Sequence, residues 1–236
     1  MTSPLLLIAD HASNFVPPDI DLGINPALLN THIAVDIGTA ELGQQLCALL
    51  DCPGIFAEVS RLVIDCNREE GAAGLIPTES DGHAIPGNAG DHSQRIARFY
   101  HPYHAKIAAQ IAMQQPQLLI SLHSFTPLLA TRPTEARPWQ VGVLYNADDR
   151  AARMAMPLLA AAGITVGDNQ PYSGKVLNAT MNRHAEAHGI AYLGLELRQD
   201  LIGDAAGVTH WAKRLAEVIL AVGHALSILK RANSAG

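Results

Sequence analysis

Three short apolar runs in this chain end on side chains that bind metals or move protons: LLLIAD runs into His11, LLISL into His123 and AYLGL into Glu196. Each run has the length of a fully buried strand. Ligands of an open α/β sheet bind just beyond the carboxyl ends of its strands, so the three segments are expected to aim two imidazoles and a carboxylate at one crevice. Around them, strand-like and helix-like patterns alternate. Strands are predicted at 5–9, 55–58, 62–64, 118–122, 141–145 and 192–197. Helices are predicted at 38–50, 93–114 with an interruption at Pro102, 150–162 and 180–187, with an amphipathic carboxy-terminal helix at 211–232. Such alternation predicts a mainly parallel sheet with helices on both faces. Residues 69–90 and 167–174 are rich in Gly, Pro, Ser and Asp, and loops of that length in a compact domain are usually functional or mobile.

With 236 residues and neither an internal repeat nor a low-complexity linker, the chain (1–236) is expected to form a single catalytic domain. The 48% hydrophobic and 16% charged residues exclude disorder as the default reading. A net charge of −6 argues against a nucleic-acid partner, and no segment is long and apolar enough to predict a membrane span. Cys47, Cys52 and Cys66 lack the spacing of a disulfide framework or a cysteine zinc knuckle, so a reducing cytoplasm is the expected location. Whether the chain forms a homo-oligomer is not legible.

Taken singly, His11 and His123 read as hydrogen-bonded structural histidines. Together at two strand ends they read as a zinc pair. Glu196 stands in an otherwise apolar LGLEL run, where a buried carboxylate needs either a partner such as Arg198 or a task such as moving protons to and from an activated water. The segment SRLVIDCNR crowds Arg61, Asp65, Asn67 and Arg68 behind another apolar run. One arginine could pair with Asp65, leaving the other to grip a substrate carboxylate.

The strings DHASN followed by VPP, HIAVDIG, SRLVIDCNR, SDGHAIPGN, YHPYH, LISLHSFTP, RPWQVGVLY, GDNQPYSG and LELRQDLI, in this order over nearly the whole chain, resemble the N-formylglutamate amidohydrolase family. That family is similar in fold to the zinc carboxypeptidases and to the aspartoacylase and succinylglutamate desuccinylase group. The resemblance implies a three-layer α/β fold of that phosphorylase/hydrolase-like kind: a mixed, mainly parallel sheet flanked by helices, with one Zn(2+) ion at the strand ends. It implies His11 and His123 as zinc ligands and Glu196 as general base and acid. It further implies Arg61 at the scissile carbonyl, and Asn67 and Arg68 at the carboxylate of a small acidic N-acyl amino acid such as N-formyl-L-glutamate.

In the wider superfamily the third ligand is a glutamate three places after the first histidine, and Asn14 stands there instead. Asp36 in AVDIG is the preferred replacement and Asp10 the alternative. Asn88, Asn169, Tyr172 and Ser173 could bind polar groups of the substrate or serve as ordinary turn residues. His83, His101, His104, His184 and His188 are expected at the surface or at helix ends. Two other readings stay open: a metallohydrolase acting on a peptide, another N-acyl amino acid or a cell-wall amide, and a non-catalytic carboxylate-binding relative.

Overall fold

A computed structural model describes residues 3–90 and 93–229. The apolar run Leu5–Ala9 forms β1, and it is followed by a loop carrying a short 3-10 turn at Pro26–Asn30 and by helix α1 (Thr39–Leu50). Next come β2 (Gly54–Phe56), a small hairpin of β3 (Glu79–Ser80) and β4 (His83–Ala84), α2 (Ser93–Arg95), a π-helical turn (Ile96–Tyr100) and α3 (His101–Gln114). The second half comprises β5 (Leu118–Phe125), β6 (Val141–Leu144), α4 (Arg150–Ala161), β7 (Val166–Asp168), α5 (Ala179–His184), β8 (Ala191–Arg198) and α6 (Ala205–Ala225).

Six strands form one sheet in the order β2-β1-β5-β8-β6-β7, with every neighbour parallel except the antiparallel pair β6 and β8. The central strands β1 and β5 are buried along their whole length, as strands covered on both faces must be, and their near-continuous apolar sequence follows from that. Helix α6 packs between α1 and α4 on one face. Gly43 of α1 lies against Leu122, whereas Tyr103 of α3 reaches Asp10 from the opposite face. This is the mainly parallel sheet with helices on both faces that the alternation predicts, and the antiparallel β6–β8 pair makes it mixed, as the resemblance implies. Among the described residues no helix is long and apolar enough to cross a membrane.

Several elements differ from expectation, among them the β3–β4 hairpin inside the stretch 69–90. Residues 62–64 form turns rather than a strand: the Ser60 hydroxyl donates to the Ala34 carbonyl and accepts from the Leu62 amide, folding the chain back immediately after Ser60. Leu62, Val63 and Ile64 still fill the core, so their apolar character reports burial and not extension. The break in the helix over 93–114 is the π turn at 96–100, one turn ahead of Pro102. That proline is the second residue of α3, directly after the π turn. The last helix begins at Ala205, six residues earlier than expected, capped by an Asp204 carboxylate that accepts from the Gly207 amide at 2.7 Å. It ends at Ala225; positions 230–232 of the expected helix lie outside the described residues. Strand β7 is an addition at the sheet edge, because residues 166–168 fall at the start of a stretch that reads as a turn.

Candidate active site

Register brings the chemistry together. His123 pairs directly with Glu196 across β5 and β8, and two further steps of the β1–β5 register beyond Ile8↔Ser121 set Asp10 beside His123. Strand β5 runs on past 122 to Phe125, so His123 and Glu196 lie inside their strands, near the carboxyl ends, with His11 in the turn just after β1.

Asp36 is the hub of the site. Its Oδ2 lies 2.9 Å from His123 Nδ1 and 3.4 Å from His11 Nδ1, and accepts from the Ser124 amide at 3.2 Å. The Asp36 amide in turn donates to the His11 carbonyl at 3.0 Å. Two residues later Gly38 adopts a left-handed φ of 77°, and a Cβ there would strike the Ile202 carbonyl oxygen. Only glycine lets the chain swing from Asp36 straight into α1.

Each imidazole meets a second carboxylate on its other nitrogen. Asp65 Oδ1 lies 2.7 Å from His11 Nε2, and Asp10 Oδ2 lies 3.4 Å from His123 Nε2. Tyr103 and Thr180 donate to Asp10 Oδ1 at 2.9 and 2.8 Å and fix its orientation. Arg61 closes the ring, donating to Asp36 Oδ1 at 3.2 Å and to Asp65 Oδ2 at 2.8 Å.

These charges decide the protonation states. Burial pushes the Asp36 carboxyl upward, but the charge and hydrogen bond of His11, the hydrogen bond of His123 and the charge of Arg61 hold it far below the usual carboxylate range. Asp65 is likewise held well below it by His11 and Arg61, against burial. Burial and Arg61 depress His11, yet Asp65 and Asp36 outweigh them and raise it; His123 is lifted well above its ordinary value against burial, by Asp10, Asp36 and Glu196. Glu196 goes the other way. Burial, only partly opposed by His123, pushes its carboxyl up to about 7.

Ligand atoms of His11, Asp36 and His123 lie within 4.8 Å of one another, and all three residues are buried. Two imidazoles and a carboxylate, each imidazole backed by a further carboxylate, form a donor set that suits a metal ion. Glu196 Oε2 is buried beside it with no hydrogen-bond partner, a cost that a purely structural carboxylate would not carry. The residues present therefore fit a metal ion. Of the three positions considered for the third ligand, Asp36 alone stands between both histidines. Asp10 lies behind His123, and Asn14 is exposed with its amide donating to Asn30 Oδ1 at 2.9 Å.

A cavity of about 120 Å³ opens onto this cluster, lined by His11, Asp36, His123 and Glu196 together with Arg61, Asn67, Arg68 and Tyr172. Asn67 Oδ1 accepts from the Thr180 amide at 3.1 Å, which leaves its side-chain NH2 group for a ligand. The Arg68 side chain is held by Asp65, 3.5 Å from its Nε, and its backbone carbonyl accepts from Tyr100 at 2.8 Å. Tyr172 accepts a hydrogen bond from Arg137 at 3.0 Å. The same cavity wall carries His32, Phe125, Thr126, Leu144 and Leu177, none of which the sequence singles out.

Three residues weighed as substrate contacts do not line the cavity. The buried Asn88 amide donates to the Leu62 and Pro77 carbonyls at 2.8 Å each, and its oxygen accepts from Arg95 at 2.6 Å, so it ties loops together away from the cavity. Asn169 sits at a left-handed φ of 50°, and its oxygen accepts from the Tyr145 and Gly174 amides at 3.1 and 3.0 Å, clamping the loop that carries Tyr172. Ser173, too, only accepts from the Lys175 amide at 3.3 Å. Of the histidines expected at the surface or at helix ends, His104 and His184 are buried, the latter at the end of α5, and share a 2.9 Å hydrogen bond, with burial taking each down to about 4.

The sequence pattern of the N-formylglutamate amidohydrolase family matches residues 3–203. The chain belongs to that family. A solved structure of a gene product from Agrobacterium tumefaciens is 30% identical, covering 95% of this chain and 91% of that one with a TM-score of 0.89. The fold is also similar to that of an N-formylglutamate amidohydrolase from Ralstonia eutropha, at 20% identity, 96% and 94% coverage and a TM-score of 0.67. A search of curated proteins gave no match. In this N-formylglutamate amidohydrolase family member the region outside the matched span includes the whole of α6, the helix that packs on α1 and α4.

Proposed function

We propose that this chain hydrolyses the amide bond of a small acidic N-acyl amino acid, with N-formyl-L-glutamate as the leading candidate, acting as one catalytic unit with zinc at His11, Asp36 and His123. The observation that carries the reading is the buried, unpartnered Glu196 carboxylate beside a histidine-aspartate-histidine cluster. Family membership supports amide hydrolysis as the reaction. The cavity supports a small substrate: about 120 Å³ is far below the ~300–1,000 Å³ of pockets that enclose drug-sized ligands.

When bound, zinc supplies Lewis acidity that makes water nucleophilic near neutral pH and stabilises negative charge on the acyl oxygen. The chain does the rest. Asp65 and Asp10 orient the two imidazoles. Arg68 and the Asn67 amide hold the substrate carboxylate, which sets the acyl carbon beside Glu196, a positioning effect. Glu196 takes a proton from the attacking water and delivers it to the departing nitrogen, so the C–N bond breaks, hydroxyl joins the acyl carbon and the amino acid leaves as an amine. Arg61 adds positive charge where the acyl oxygen becomes negative, although two of its nitrogens are already committed to Asp36 and Asp65.

The test is a metal assay followed by a panel of N-formyl, N-acetyl and N-succinyl amino acids. The expected result is about one zinc per chain, lost in His11→Ala, Asp36→Ala and His123→Ala, with release of free amino acid from at least one acidic member. Full metal retention in all three variants, or a native protein that cleaves no panel member, contradicts the reading.

A further inference from the structure

His32 lies in the turn between the 3-10 helix at Pro26–Asn30 and Asp36, and it lines the same cavity as His11, His123 and Glu196. The turn is firmly seated. Its neighbours Ile33 and Ala34 are buried in a satellite apolar cluster with Leu22, Leu62 and Ile85. The imidazole is one-quarter exposed, and its Nε2 lies 3.0 Å from Oδ2 of Asp81, whose side chain is only 4% exposed.

Asp81 occupies the tip of the β3–β4 hairpin at a left-handed φ of 43°. Its carboxylate also accepts from the Ala130 amide at 2.9 Å, the Thr131 amide at 2.9 Å and the Thr131 hydroxyl at 2.6 Å. One side chain thus joins the hairpin, the loop after β5 and His32. Burial pushes the Asp81 carboxyl up, but the Thr131 and Ala130 hydrogen bonds and His32 pull it down to about 2, so it accepts from every partner at neutral pH. The His32 proton is therefore on Nε2. Burial lowers the pKa of His32, with Arg137 and Arg61 adding to burial and Asp81 opposing it, so the ring is neutral. A neutral imidazole with its proton on Nε2 has an acceptor lone pair on Nδ1 and nothing to donate there. Nδ1 has no hydrogen-bond partner among the described residues.

We infer that His32, held by the positioning residue Asp81, accepts the amide N–H of the substrate through Nδ1 and so selects amides over the corresponding esters. This rests on the amidohydrolase reading of the same site. An acidic N-acyl amino acid carries acceptors at its carboxylates and acyl oxygen, which Arg68, Asn67 and Arg61 can meet, but its sole donor is the amide N–H. His32 offers on that cavity wall a neutral ring-nitrogen acceptor that no other group occupies among the described residues. An ester places an oxygen lone pair where the N–H would be, leaving His32 facing an acceptor, and sites built around a substrate donor discriminate strongly against analogues lacking it.

The experiment compares kcat/KM for N-formyl-L-glutamate with that for its ester counterpart, 2-formyloxyglutarate, in zinc-loaded native protein and in the His32→Ala, His32→Gln and Asp81→Asn variants, with zinc content measured in each. The expected result is a fall in the amide-to-ester ratio of at least about tenfold in His32→Ala, the scale of one lost hydrogen bond of ~1.4 kcal/mol. Partial recovery of the ratio is expected in His32→Gln, whose carbonyl is again an acceptor. Asp81→Asn is expected to lower the ratio as well, because an amide partner no longer fixes the proton on Nε2. Equal losses for amide and ester in both His32 variants, or an unchanged ratio, overturns the inference while leaving the amidohydrolase reading intact. A native protein that cleaves neither compound removes that reading, and the inference with it.

Discussion

Glu196, the residue proposed to move protons, is buried with one carboxylate oxygen unpartnered. In metal-free protein its carboxyl titrates at about 7, because burial disfavours the charged form. A cation bound a few ångströms away favours the charged form, so zinc loading is expected to move that titration to lower pH, which a carboxylate infrared band or carbon-13 NMR can follow. An unmoved titration would place the metal elsewhere. Glu196→Gln keeps the side-chain volume and removes the base; turnover should fall roughly 10²-fold or more with zinc content unchanged. Near-native turnover in that variant would refute the assigned role. His11, His123 and Glu196 are legible in the sequence because each interrupts or ends a buried strand, where a polar side chain needs a reason to be. The partners that orient them are less legible. Asp65 reaches His11 across 54 residues and Asp81 reaches His32 across 49, through turns whose direction is set by tertiary contacts and not by local pattern.

At the scale of elements, the apolar pattern locates the central strands well and misjudges the connections between them. Residues 62–64 are as apolar as a strand, yet the Ser60 hydroxyl turns the chain, and that turn is what carries Arg61, Asp65, Asn67 and Arg68 to the cavity. The π turn at 96–100 belongs to the same construction, since its Tyr100 hydroxyl holds the Arg68 carbonyl. Asn169 shows how a turn residue mimics a binding residue in sequence. Asn169→Ala leaves the Tyr145 and Gly174 amides without their acceptor and puts alanine at a left-handed φ. It should lower stability by about 1–3 kcal/mol, seen as a lower denaturation midpoint, without loss of bound zinc. An unchanged midpoint with a raised KM would return Asn169 to the substrate.

For the molecule as a whole, the buried cluster links metal binding, protons and stability. In metal-free protein His11 and His123 are raised above their ordinary value, so the stability they contribute is complete below the unfolded value of about 6.5 and is lost as pH rises through their folded values. The lowered carboxyls of Asp36, Asp65 and Asp10 contribute above their unfolded value, and that share is lost only as pH falls through their still lower folded values. Metal-free protein should therefore lose melting temperature between pH 6 and 9. Zinc binds neutral imidazoles and must expel about two protons, one from each histidine, so the gap between loaded and metal-free protein should widen over the same range. Melting curves at the two pH values, with and without zinc, check both statements, and a gap that narrows with pH contradicts them.

Zinc-dependent amide hydrolysis at the His11–Asp36–His123 cluster is tested by the rate of glutamate release from N-formyl-L-glutamate as zinc is titrated into metal-free protein. The rate is expected to climb in proportion to bound zinc and level off at about one ion per chain, with Glu196→Gln binding the same amount and staying near zero. Equal turnover with the metal stripped away, or none once one zinc per chain is bound, would contradict it.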